Sequence, residues 1–175
     1  MDTRNAARIG RDLSVIGLGT WQLGADWGDV TEADARAVLD ASVESGVTIF
    51  DTADVYGDGR SEQFIGSYLA DNPDLDVFVA TKMGRREAQD PANFTLAKFR
   101  EWTDRSRSNL GVDTLDLVQL HCPPTPVFSS DASRMARASA SLTSPQSAPS
   151  CQVPRPITET GWSRRAALPV CMTPA

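Results

Sequence analysis

Four polar side chains in this chain stand directly after, or shortly beyond, short apolar runs, and together they could move a proton. Asp51 and Tyr56 lie in Phe50-Asp51-Thr52-Ala53-Asp54-Val55-Tyr56, Lys82 closes Ala80-Thr81-Lys82, and His121, the only histidine, closes Leu120-His121. A phenol with a pKa of about 10 keeps its proton at neutral pH, and an ammonium beside it eases release of that proton, as a general acid requires. A half-buried ammonium tends toward the neutral amine, and a carboxylate such as Asp51 beside Lys82 would keep it charged. An imidazole in the same group can hydrogen-bond a carbonyl oxygen or share its proton. Taken singly, Asp51 reads as a turn residue, Tyr56 as packing, Lys82 as a solvated loop charge and His121 as a core histidine. Their joint placement at one end of successive strands is what points to a cleft.

The elements that would position them follow from the apolar pattern. Short runs at Val15-Ile16-Gly17-Leu18-Gly19, Val47-Thr48-Ile49-Phe50, Val77-Phe78-Val79-Ala80 and Leu115-Asp116-Leu117-Val118-Gln119-Leu120 alternate with longer amphipathic segments. That alternation predicts an α/β fold with a parallel sheet. The first helix opens at Thr31, with Asp34 in a variant capping box, buries Ala35, Val38, Leu39 and Val43, and ends at Gly46. The second starts at Ser61 after the Asp58-Gly59 turn, buries Phe64, Ile65, Tyr68 and Leu69, and stops before Pro73. The third runs from Thr95 to Leu110, with Leu96, Phe99 and Leu110 inward and Gly111 as its stop. A small hairpin is expected around Gly10, ahead of the first run. In such a sheet, functional side chains project from the carboxyl ends of strands and the loops that follow.

Composition narrows the partners. The 175 residues are 41% hydrophobic and 23% charged, with a net charge of −6, which gives no reason to expect nucleic acid or an anionic membrane and suits a small molecule. No apolar stretch reaches transmembrane length, and the polar start Met1-Asp2-Thr3-Arg4-Asn5 lacks a signal-peptide core, so a cytoplasmic location is expected. The three cysteines, Cys122, Cys151 and Cys171, are odd in number without C-x-x-C spacing, so neither a disulfide framework nor a metal site is indicated. Asn93-Phe94-Thr95 reads as a turn leading into a helix rather than a glycosylation site.

Gly17-Leu18-Gly19-Thr20-Trp21, Phe50-Asp51-Thr52-Ala53-Asp54-Val55-Tyr56-Gly57, Thr81-Lys82 and Asp116-Leu117-Val118-Gln119-Leu120-His121 resemble, in order, the signature segments of the aldo-keto reductases. The likeness covers about residues 8 to 128. It implies a parallel (β/α)8 TIM-barrel fold and NADPH-dependent reduction of small-molecule aldehydes or ketones. It also implies a catalytic tetrad of Asp51, Tyr56, Lys82 and His121, in which Tyr56 protonates the carbonyl oxygen, Lys82 and Asp51 tune it and His121 orients the substrate. Gly19, Thr20, Trp21 and Asp51 fall at the family's cofactor-side positions, and Trp21, Tyr56 and His121 at its substrate wall. A dinucleotide fingerprint at Gly17-x-Gly19 fails, because Gln22 stands where a glycine is needed.

Residues 1 to 128 carry 21 acidic and 12 basic side chains, a net of −9, whereas residues 129 to 175 carry 2 and 5, a net of +3. This tail holds nine serines, eight alanines and six prolines and is expected to be disordered or out of frame. Residues 1–128 are thus expected to form half of a barrel that normally takes about 250 residues, truncated after about four βα units. Segments implied by the resemblance for the other half, including those that hold the adenosine phosphate, are not recognisable in the tail. Open sheet edges and an uncovered apolar face would favour self-association and weak cofactor affinity. Two functions stand on this basis: a carbonyl reductase impaired by truncation, or a non-catalytic half-barrel.

Overall fold

The computed structural model describes residues 1–24 and 28–128. The tail from residue 129, expected to be disordered or out of frame, lies outside the described residues. An antiparallel hairpin of β1 (Thr3–Ala6) and β2 (Arg11–Ser14) comes first, with Thr3 opposite Ser14. Then follow β3 (Leu18–Gly19), a single turn α1 (Trp21–Gly24), α2 (Glu32–Glu44), β4 (Ile49–Asp51), α3 (Arg60–Asp71), β5 (Phe78–Met83), α4 (Leu96–Leu110), β6 (Leu117–Leu120) and a single turn α5 (Thr125–Phe128). Strands β3, β4, β5 and β6 pair in that order, all parallel. The chain is α/β, with the helix-connected parallel sheet of the (β/α)8 barrel.

The expected first sheet strand is shorter than its apolar run. Pairing begins only at Leu18, and Val15 and Ile16 are 48% and 60% exposed. The reason lies in Ser14, whose N–H donates to Thr48 Oγ1 at 2.9 Å while its hydroxyl donates to the Ile16 carbonyl at 2.7 Å. The Thr48 N–H returns a bond to Ser14 Oγ at 3.0 Å, so the hairpin is tied to the foot of β4 and the chain bends before it can enter the sheet.

Local chemistry sets the helix ends. The Asp34 N–H donates to the Thr31 hydroxyl oxygen at 3.2 Å, and the Thr31 N–H donates back to the Asp34 carboxylate at 3.0 Å, completing the capping box. The Thr31 hydroxyl, which also donates to the Asp34 carboxylate at 2.6 Å, and then the Thr31 N–H hold the Asp34 carboxyl below its ordinary value. On α2, Ala35 and Leu39 are buried, but Val38, expected inward, is 37% exposed, because it sits at the margin of the stripe those two residues define. Helix α3 begins at Arg60, one residue earlier than expected, and Phe64 on it is half-buried. Leu96, also expected inward, is half-buried on the first turn of α4. Pro91–Asn93 form a short 3-10 turn, Thr95 caps α4 by accepting from the Lys98 N–H at 3.3 Å, and Gly111 closes that helix with φ 66°.

Between sheet and helices lies a core built around Leu39, Phe50, Ile65, Leu69, Val79 and Leu110. A second cluster joins Met83, Phe94, Phe99, Trp102 and Val127, with the Phe94 and Trp102 rings edge to face at 5.6 Å. Side chains alternate along a strand. Since Phe50 and Val79 face the helices, Ile49, Asp51, Ala80, Lys82 and Leu117 line the opposite, concave face, where Leu117 is 40% exposed. Among the described residues, no helix is long and apolar enough to cross a membrane.

Helices α3 and α4 meet backbone to backbone at Gly66, where an added Cβ would stand 2.7 Å from the Asn109 carbonyl oxygen. A Gly66→Ala substitution must push these helices apart, and overpacking of this kind costs about 1–3 kcal/mol. Urea denaturation should show that loss, and an unchanged midpoint would mean that the helices separate freely.

Candidate functional site

Strand register brings the sequence-selected residues together. Gly19 pairs with Asp51 and Asp51 with Ala80, while Lys82, two residues beyond Ala80, pairs with Gln119. Asp51 and Lys82 therefore share the concave face at the carboxyl ends of adjacent strands. The Lys82 ammonium pairs with the Asp51 carboxylate and donates to the Thr52 carbonyl at 2.9 Å. Its side chain is only 16% exposed against 42% for Asp51, so the cation is the more enclosed partner and the carboxylate supplies its counter-charge.

Tyr56 follows β4 in a 3-10 turn spanning Tyr56–Gly59. Its ring centroid lies 5.5 Å from Lys82 Nζ, within cation–π range. His121 follows β6, its N–H donating to the Met83 carbonyl at 2.9 Å, and its ring meets that of Tyr56 edge on, with centroids 5.8 Å apart and planes at 88°. All four residues, selected by type and position, thus form one contiguous group. Burial first, and then the charges of Lys82 and Arg85, hold the His121 imidazolium below its ordinary value against the opposing pull of Asp51. The imidazole is neutral at neutral pH, and its Nδ1 is buried without a hydrogen-bond partner among the described residues.

Two devices fix this group. Thr20 donates both its N–H and its hydroxyl to the Asp51 carbonyl, each at 2.9 Å, and its own carbonyl and hydroxyl oxygens lie 2.8 and 2.9 Å from the buried Ser61 hydroxyl. The Thr52 hydroxyl joins Ser61 at 3.0 Å. Thr20 is fully buried, so its side chain and N–H are committed to the end of β4. Of the cofactor-side loop, Gly19 and Trp21 are the exposed members, with Trp21 at 50%. The second device is a contact between loops. A Cβ on Gly24 would stand 2.3 Å from the Tyr56 carbonyl carbon, and one on Gly57, at φ 59°, would stand 2.3 Å from the Gly24 carbonyl oxygen. Only glycine at both positions lets the β3 loop press against the backbone that carries Tyr56.

The structure adds residues that the sequence reading passed over. Asp54 is fully buried, and among the described residues no hydrogen bond of good geometry reaches either carboxylate oxygen. Burial first, then repulsion from Glu62, raises its carboxyl to about 7, against the opposing pull of Arg86, Arg105 and the Val55 backbone. Glu62, also fully buried, accepts from the Thr81 hydroxyl at 2.6 Å and from the Asn109 amide at 2.8 Å. Its spacing from Ile65 and Leu69 on α3 puts it on the apolar stripe, a signal legible in the sequence. Among the described residues, no cluster of three or more His, Cys, Asp or Glu side chains is arranged to hold a metal ion.

Comparison with known proteins places the sequence and its fold. The model of the aldo/keto reductase family matches residues 15–143. The chain is 39% identical over 95 residues to pyridoxal 4-dehydrogenase from Microbacterium luteolum, covering 54% of this chain and 28% of that protein. It is 33% identical over 127 residues to the aldo-keto reductase YhdN from Bacillus subtilis, covering 70% of this chain and 38% of the relative. Among solved structures, the holo form of aldo-keto reductase AKR11C1 from Bacillus halodurans superposes with a TM-score of 0.63 at 29% identity, over 80% of this chain and 48% of that one. An aldo-keto reductase from Klebsiella pneumoniae in complex with NADPH superposes with a TM-score of 0.55 at 28% identity, over 66% and 37% of the two chains. The chain thus spans less than half the length of each of these proteins.

Two titrations probe the site. As the only histidine, His121 gives a single imidazole signal whose midpoint should lie below 6.5, and Lys82→Met should move it upward by removing a cation and leaving Asp51 uncompensated. A midpoint unmoved by that substitution would show that Lys82 does not reach the ring. For Asp54 the folded value of about 7 stands above the ordinary 3.8, so the folded protein holds a proton that the unfolded chain has released across that window. Stability should therefore fall as pH rises from about 4 to about 7, by at most about 1.4 kcal/mol per pH unit. Denaturation midpoints for Asp54→Asn should lose this slope, and a slope that persists would locate the titrating group elsewhere.

Proposed function

The chain belongs to the aldo/keto reductase family, and from that premise we propose that it is an NADPH-dependent oxidoreductase that reduces the carbonyl of a small aldehyde or ketone. The observation that supports this most directly is the Asp51–Lys82 ion pair lying beneath Tyr56 and beside His121 at the strand ends. In this reading Tyr56 is the proton donor to the carbonyl oxygen. The Lys82 ammonium, paired with Asp51 and close to the ring, offers positive charge where negative charge develops on the phenol oxygen during transfer. Neutral His121 orients the carbonyl, since a nitrogen that still carries hydrogen can donate to the oxygen without adding a second cation.

The residues present suit one end of a nicotinamide cofactor, whose bound form supplies hydride to the carbonyl carbon. Among the described residues, nothing beyond its chain neighbours lies within 4 Å of a Cβ built on Gly19, which pairs with the partly exposed Asp51. Gly19, Trp21 and Asp51 would hold the nicotinamide ribose there, with Thr20 fixing their loop from below and Trp21 forming part of the substrate wall. The division of the chain after Phe128 belongs to the same proposal, although the family match runs on to residue 143.

A second reading has its own observation. Among the described residues, β3 and β6 each have one unpaired edge, and Leu117 on the concave face is 40% exposed. A half-barrel with open edges and uncovered apolar surface would associate with itself and turn nothing over. One assay separates the two: carbonyl-dependent oxidation of NADPH by the purified chain, with Tyr56→Phe beside it. The reductase reading expects turnover that falls on the order of 100-fold or more without the phenol. Equal rates for both proteins would remove Tyr56 from the chemistry. No turnover, with higher oligomers on a sizing column, would favour the non-catalytic reading.

A further inference from the structure

We propose that Arg86 is a positioning residue for Tyr56, holding the loop on both sides of the phenol so that its ring stays against His121 and over Lys82. This deepens the reductase reading and rests on it only for the role of Tyr56.

Arg86 stands in the loop after β5, three residues beyond Met83. One guanidinium nitrogen donates to the Asp54 carbonyl at 3.1 Å, two residues before Tyr56. The other pairs with the Asp58 carboxylate, two residues after it. The planar fork of an arginine can span two such acceptors, whereas a lysine presents a single point charge. On the same Asp58, Arg105 from α4 donates to the carbonyl at 2.9 Å and to the carboxylate at 3.1 Å. The Asp54 N–H donates to the Lys82 carbonyl at 3.0 Å, so the start of the loop is also tied to the strand that carries the ammonium.

The loop needs such restraint. Asp58 takes the left-handed conformation at φ 57°, which costs a residue with a side chain free energy that its surroundings must offset. The Gly24 contact presses on the Tyr56–Gly57 backbone, and Arg86 adds directed bonds at Asp54 and Asp58 on either flank in sequence. Asp58 is 75% exposed, so its ion pairs contribute little to overall stability. Their effect is local: they decide where the loop lies. The Asp54 carboxyl adds a second reason for a cation at this place, since its ionised form is drawn to Arg86 and Arg105.

The chain has one histidine and two tyrosines, so the aromatic pair can be observed directly in the full-length protein. In the wild type, ring protons of His121 and Tyr56 should give a nuclear Overhauser cross-peak, assigned by its loss in Tyr56→Leu. Arg86→Gln should weaken or abolish the cross-peak while the tyrosine signals of Tyr68 and the far-ultraviolet dichroism stay unchanged. Arg86→Lys, which can pair with Asp58 but cannot bridge to Asp54, should restore it in part. In the carbonyl assay, kcat should fall about 10-fold to 100-fold with little change in KM, the mark of a displaced reacting group. If Arg86→Gln fails to fold, Asp58→Gly, which relieves the left-handed backbone while removing the carboxylate, should weaken the cross-peak by itself. A cross-peak that is absent from the wild type, or that persists in whichever of these two variants folds, overturns the proposal. Should the chain show no turnover, or Tyr56→Phe leave turnover intact, the reductase reading fails and the cross-peak still judges the role of Arg86.

Discussion

An ammonium at the end of an otherwise enclosed strand must be neutralised where it stands, and in this protein Asp51 does so for Lys82. The long side chain of Lys82 folds back from two residues beyond the strand partner of Asp51. The pair therefore requires β4 and β5 to keep their register, since a slip of one residue would carry one of the charges to the helix-facing side. Much of the surrounding architecture serves that register. Thr20, Thr52 and Ser61 tie the end of β4 to the β3 loop and to the start of α3 through buried hydroxyls. Ser14 and Thr48 tie its other end to the hairpin. A strand of only three residues is fastened at both ends by hydroxyl bonds, and each end carries a reason for its position.

The same arrangement accounts for the division of labour among the acidic groups. Asp51, on the concave face and partly exposed, has a cation to meet. Asp54, three residues on and fully buried, lacks a well-formed carboxylate hydrogen bond among the described residues and keeps its proton up to about 7. Glu62, equally buried, instead receives a hydroxyl and an amide. Three of the four carboxyl groups in these twelve residues of sequence thus meet three electrostatic environments, set by what each side chain encounters after the turn.

Features carried by local or periodic signals were legible in the sequence. The capping box of α2 reads from Thr31 and Asp34, and the stop of α4 from Gly111, because the partners are adjacent in the chain. The convergence of Asp51, Tyr56, Lys82 and His121 was legible because a parallel sheet gathers its strand ends at one side. What depends on distant partners was not. Val15 and Ile16 have the composition of a strand, but the Ser14 bonds bend the chain away first. Val38 has the polarity of a core residue, yet its exposure depends on the rotation of α2 about Leu39. Arg86 and Asp58 look like ordinary loop charges until β4, β5 and α4 bring them together.

The contact between Gly24 and Gly57 also limits how this region can vary. One small gap lies between the two loops, and a side chain at either position would claim it, so the two sites are not independent. Enlarging one cannot be offset by shrinking the other, because both already lack a side chain. Variation in the rim must therefore enter elsewhere, at positions such as Trp21 that face outward. The backbone that carries the phenol can stay constant while the wall in front of it changes, which lets one chemical apparatus face differently shaped molecules.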